Sequence, residues 1–128
     1  MILHICPRGD WDARSGGVLA PASLDTEGFA HCSDPGTVAL PAGRLFAGRT
    51  DLLLLEIDPA RLAVPVRWEP GTTDGRPEAA GGPWFPHVYG PIPDDAVVAV
   101  HAFPPEPDGS FRLPSALADP SSEREPHG

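Results

Sequence analysis

Histidine and tyrosine stand two residues apart in Phe85-Pro86-His87-Val88-Tyr89-Gly90-Pro91-Ile92-Pro93, between prolines that fix their own backbone and limit the segment's movement. In extended chain, residues two apart share a face, so His87 and Tyr89 line one surface while Val88 faces the packed side. Glu27-Gly28-Phe29-Ala30-His31-Cys32-Ser33 alternates in the same way, with Phe29, His31 and Ser33 on one face and Gly28, Ala30 and Cys32 on the other. Two such segments in a short chain predict a shared cleft. His4, the one polar residue in the apolar run Ile2 to Cys6, supplies a third imidazole. With Ser33 and the carboxylate of Glu69, next to Trp68, this set suits a neutral, hydroxyl-rich ligand such as a sugar or nucleoside. The same residues also fit a buried edge segment with His and Tyr bonded to backbone, and the two readings differ on whether the imidazoles open onto one cavity.

Other chemistries fit less well. There is no phosphate-binding glycine loop, CxxC pair, HExxH or GxSxG in the chain. No two histidines of the set share an i, i+4 spacing, and the adjacent His31 and Cys32 point to opposite faces of a strand, so no metal site is expected. A Cys32 nucleophile would need an activating imidazole on its own face, which alternation denies to His31 and leaves open for His87. Cys6 and Cys32 are too few for a disulfide framework and read as small buried residues. The net charge of -9, with nine basic residues that are all Arg, argues against an extended nucleic-acid surface while leaving room for one small anionic ligand. No apolar run is long enough to span a bilayer and no basic leader precedes the first strand, so a cytoplasmic protein is the simplest expectation.

The elements that must position these residues follow from pattern. A chain of 128 residues, 41% hydrophobic, implies one domain, here 1–113, with 114–128 as a disordered tail rich in charge and proline. Ile2 to Cys6 reads as a central strand, and Pro7 opens a helix that carries Trp11 and stops at Gly16-Gly17. Val18 to Leu24 is loop or short extended chain. Ser33-Asp34-Pro35 is a helix start, and Pro41 breaks that helix into a turn and a second piece carrying Leu45 and Phe46 inward. Leu52-Leu53-Leu54-Leu55-Glu56-Ile57 is a strand covered on both faces. A helical turn at 58–62 precedes an edge or bulged strand from Val64 to Glu69. Residues 70–83 form a surface loop, Ala96 to Phe103 a late strand, and Ser110 to Leu113 a last strand paired with it. The class is α+β, with two small, mixed or antiparallel sheets and a few short helices.

The order of segments, from His4 through EGFAHCS at 27–33, LLLLEID at 52–58, WE at 68–69 and FPHVYGPI at 85–92, closely resembles the small bacterial family catalogued as domain of unknown function 952. The resemblance spans residues 2 to about 113. It implies a fold similar to the ADP-ribosyltransferases, which bind NAD in a cleft between two short sheets. By that resemblance His4 matches a first-strand histidine that contacts the adenosine ribose, and Glu69 is the nearest match to the carboxylate that holds the nicotinamide ribose as positive charge grows on its anomeric carbon. His87 joins Glu69 as a catalytic candidate, and His4, His31, Ser33 and Tyr89 as ligand-binding ones. The chain departs from that pattern in having one tyrosine and Val18-Leu19 where an aromatic is expected. Of the arginines that the related tRNA 2'-phosphotransferases use for phosphate, only Arg8 offers a match. The resemblance therefore implies NAD or a nucleotide-like ligand and ADP-ribosyl or glycosyl transfer; the alternative is a binding module that has lost NAD chemistry.

Overall fold

The computed structural model describes residues 1–73, 76–77 and 82–118. In chain order the elements begin with β1 (Ile2–Pro7), α1 (Arg8–Asp12), β2 (Val18–Leu19), α2 (Ser23–Thr26), β3 (Ala30–His31) and α3 (Ala39–Leu45). Then come β4 (Leu52–Ile57), β5 (Val66–Pro70), β6 (Thr72–Thr73), β7 (Arg76–Pro77), β8 (Trp84–Val88), β9 (Ile92–Pro93), β10 (Val97–Ala102) and α4 (Ser115–Ala118). Among the described residues every pairing is antiparallel: two three-stranded sheets, β1-β4-β10 and β3-β8-β5, and two two-stranded ladders, β2-β9 and β6-β7. The mixed pairing allowed by the sequence is absent among the described residues.

β4 is the centre of the first sheet, and its apolar run is covered on both sides, as its continuity predicts. Leu53, Leu55 and Ile57 meet Ile2, Cys6, Ala30, Cys32 and Val88 where the two larger sheets face each other. Leu52 and Leu54 pack on the opposite face with Leu3, Ile5, Val38, Ala42, Phe103 and Phe111. The two sheets are tied by a bridge in which Leu3 and Ser33 exchange both backbone hydrogen bonds at 2.7 Å. That bridge sets β1, and with it His4, beside the His31 segment.

β8 is the central strand of the second sheet although Pro86 sits in its middle. A proline removes a ladder donor and normally belongs at an edge. Here β3 ends at His31, and Pro86 contributes only its carbonyl, which accepts from the Cys32 N–H at 3.1 Å. β5, preceded by Pro65 and ending at Pro70, is the edge strand the sequence predicts.

Several expectations need correction. Ser33-Asp34-Pro35 does not start a helix: the Thr37 hydroxyl and the Val38 N–H close onto Asp34 at 2.9 and 3.1 Å in a turn. The helix begins at Ala39 and contains Pro41 unbroken, because in the first turn the missing N–H has no intrahelical partner to lose. Leu45 points outward, 62% exposed, whereas Phe46 packs on the core as expected. Ser110 to Leu113 forms no strand; Glu106 N–H bonds the Ser110 carbonyl in a local loop, and Phe111 plugs the core instead of pairing with β10. Part of the 70–83 stretch is a ladder between β6 and β7; residues 74–75 and 78–81 lie outside the described residues. Leu117 of α4 packs on the core, and residues 119–128 lie outside the described residues.

Candidate functional site

Register places the polar groups. On β8 and β5, His87 faces Arg67 and Phe85 faces Glu69, so these four side chains share one face while Trp68, Pro86 and Val88 take the other. Glu69 Oε1 accepts from the Tyr89 hydroxyl at 2.5 Å and from His87 Nδ1 at 2.8 Å. The Tyr89 bond, followed by the His87 bond, lowers the Glu69 pKa, and the same carboxylate raises that of Tyr89. His87 is 2% exposed, and burial lowers its pKa against the opposing pull of Glu69. The pair is thus a carboxylate holding a neutral imidazole by its Nδ1–H. Nε2 keeps its lone pair and has no hydrogen-bond partner among the described residues.

Phe29 holds the ring in place. It stacks on His87 at a centroid distance of 4.0 Å and touches His31 at 4.9 Å and Tyr89 at 5.3 Å. His31 pairs through Nε2 with Glu27 Oε2 at 2.9 Å, four residues back in the chain, and its ring meets His87 edge-on at 5.6 Å. The Arg67 guanidinium lies over the Tyr89 ring at 5.3 Å.

His4 repeats the His87 arrangement by a different route. Its Nδ1–H donates to the His31 carbonyl at 2.7 Å, and burial lowers its pKa, so this imidazole is also neutral with Nε2 unpartnered among the described residues. His4 is 7% and Ser33 4% exposed, and the Ser33 hydroxyl likewise has no side-chain partner there. Buried polar atoms are nearly always hydrogen-bonded, so three left open along one cavity are a site signal.

That cavity has a volume of about 690 Å³, and His4, His31, Ser33 and His87 all line it. The expected meeting of the three imidazoles in one space is therefore observed. Glu69 and Tyr89 do not line it; they stand behind His87 and act on it through Nδ1. The walls include apolar Leu19, Pro41, Phe46 and Phe85, with Asp10 and Arg14 among the charged lining groups. Arg14 is engaged by Asp94 at 2.9 Å and stacks over Trp11. Cys6 and Cys32 also line the space, with thiols pushed up by burial to about 11 and about 12, so neither is a thiolate near neutrality. Arg8, the weak phosphate match, is not among the lining residues. Among the described residues no three His, Cys, Asp or Glu side chains converge as metal ligands, and no helix is long and apolar enough to cross a membrane.

Sequence reasoning missed Glu27 as the partner of His31, Phe29 as the stacking hub, and the Pro41 and Phe46 wall. Only the position of Phe29 on the His31 face signalled its part.

Comparison with known proteins places these features. No curated protein matches the chain. The crystal structure of protein CC0527 from Caulobacter crescentus is similar, at 28% identity and a TM-score of 0.75, covering 91% of this chain and 97% of that one. Its solution NMR structure gives a TM-score of 0.71 at the same identity, with 91% and 96% covered. Residues 5–100, which hold the second half of β1, the EGFAHCS motif, β4 and the FPHVYGPI motif, match the family described as protein of unknown function (DUF952), and the chain belongs to that family.

Proposed function

We propose that the cleft binds the hydroxyl-bearing part of a nucleotide- or sugar-like ligand, NAD included, and that His87 is its base. The observation that carries this reading is the pair of buried neutral imidazoles, His4 and His87, each pinned at Nδ1 and each offering an unpartnered Nε2 beside Ser33. Such a floor accepts hydrogen bonds and therefore selects donors, hydroxyls above all. An ADP-ribosyltransferase-like arrangement is the architecture we propose for it, supported by a first-strand histidine in a cleft bounded by two small sheets. In ADP-ribosyl transfer from NAD, His87 Nε2 would take the proton of the attacking hydroxyl as its oxygen bonds the anomeric carbon and the carbon–nitrogen bond to nicotinamide breaks, nicotinamide leaving as a neutral base with the bonding pair, while Glu69 holds the resulting imidazolium.

A second reading, a binding module without NAD chemistry, is favoured by one specific observation. Glu69 is committed to His87 and Tyr89 and does not line the cavity, so it stands away from where a positive anomeric carbon would need a carboxylate. Two measurements on the purified protein separate the readings. Thermal shift and calorimetry with NAD, ADP-ribose and adenosine should show binding in both, because a ligand that prefers the native state raises its midpoint. Nicotinamide release from NAD should occur only if the cleft is catalytic; Glu69→Gln should then lower turnover about a hundredfold, by roughly 2.7 kcal/mol. Binding without release selects the module, and no binding of any of the three ligands overturns both.

A further inference from the structure

The charged groups around the cleft are not balanced. Arg14 donates to Asp94 at 2.9 Å and to the Trp11 carbonyl at 2.7 Å, with its guanidinium 3.6 Å from the centre of the Trp11 ring. Arg44, the other arginine of the wall, is likewise engaged. Asp10 lines the same space, is exposed, and has no hydrogen bond or ion pair among the described residues. Its carboxylate is therefore a lining charge without a counter-ion there. Its field reaches the floor: it opposes the lowering of the His4 pKa by burial, and after burial it is the next influence that raises the Cys6 thiol. The floor itself offers the bare Nε2 atoms of His4 and His87 and the Ser33 hydroxyl, on residues only 7%, 2% and 4% exposed. Open acceptors and one bare anion in a partly enclosed space select a ligand that donates hydrogen bonds and carries positive charge, and a chain charge of -9 draws cations towards it.

We propose that Asp10 reads charge in the cleft, holding a sugar ring that carries positive charge while His4, Ser33 and His87 hold its hydroxyls. The ligand class narrows to cationic, hydroxyl-bearing rings: iminosugars and amino sugars, and the oxocarbenium-like ring through which glycosyl transfer passes. Asp10 in this role rests on the hydroxyl-binding reading of the cleft and supplies the charge that reading lacks, because Glu69 is committed to His87 and Tyr89 and does not line the cavity. An anionic ring meets the same carboxylate as repulsion, so a phosphate on the sugar weakens binding.

Calorimetry of the full chain with three ribose-type probes tests this: an iminosugar protonated near neutrality, its neutral anhydro counterpart with oxygen in place of the ring nitrogen, and ribose phosphate. Wild type should bind the iminosugar about tenfold more tightly than the neutral ring, the effect of one close charge in a partly solvated site, and ribose phosphate most weakly. Added NaCl should shrink that preference. Asp10→Asn should abolish it while the affinity for the neutral ring and the melting temperature stay nearly unchanged, since the side chain is exposed. Asp12→Asn, the same change of charge on an exposed residue outside the cavity wall, should keep it. Equal binding of the iminosugar and the neutral ring, a preference that survives Asp10→Asn or is lost in Asp12→Asn, or tightest binding of ribose phosphate would each overturn Asp10 as the contact and leave the hydroxyl-binding cleft standing. Failure of all three probes to bind would overturn the cleft's reading and the role of Asp10 together.

Discussion

At the scale of single residues, the site depends on keeping two imidazoles uncharged. Burial lowers the pKa of both His4 and His87 from an ordinary value of 6.5. The unfolded chain then binds protons that the folded one does not, so stability falls as pH drops below about 6.5 towards the folded pKa values. Glu69, lowered from 4.5, adds a second loss further into acid, as pH falls through its own folded pKa. Tyr89 acts at the other end: its raised pKa means that stability is lost as pH climbs past 10. Melting temperatures measured from pH 4 to 8 should thus decline below about 6.5, and His4→Asn/His87→Asn should flatten that first limb. Asparagine can supply the Nδ1-like donor to each partner but carries no ionisable ring. Tyr89→Phe removes the bond that most lowers the Glu69 pKa, so the Glu69 carboxyl should titrate at higher pH by NMR, with about 1 kcal/mol lost from stability.

At the scale of elements, close approach governs the turn after β8. A methyl group added at Gly90 would come within 2.5 Å of Val64 Cγ1, far inside contact distance, in a loop where Tyr89 N–H already bonds the Pro65 carbonyl at 2.9 Å. Gly90→Ala should therefore cost about 1–3 kcal/mol in urea unfolding, the usual penalty of overpacking, and loosen the Tyr89 contact to Glu69. A loss below about 0.5 kcal/mol would mean that the loop moves aside freely. Elements read well from the sequence where periodicity alone decides. β4 was legible because four consecutive leucines need cover on both faces, and the His31 and His87 segments because alternation assigns each side chain a side. Pattern failed where a particular long-range contact decides. Phe111 prefers the core to pairing with β10, and Pro41 is harmless only because the helix starts two residues before it, which no local signal declares.

At the scale of the whole molecule, the cleft arises from two sheets joined by the Leu3 and Ser33 bridge. That contact brings residues thirty apart in sequence into register and supplies the His31 carbonyl that pins His4. Sequence alone placed His4, His31 and His87 towards one space, and the structure brings them there; it also moves Glu69 and Tyr89 from the wall to a supporting position, because the register of β5 against β8 is invisible in the chain. The central claim is that His4 and His87 present bare Nε2 atoms to one cavity. Long-range ¹⁵N–¹H correlation of the imidazole rings near pH 7 tests it most directly, reporting which ring nitrogen carries the proton. The account predicts neutral rings protonated at Nδ1 for both residues. Protonation at Nε2, or a charged ring, at either position would contradict it.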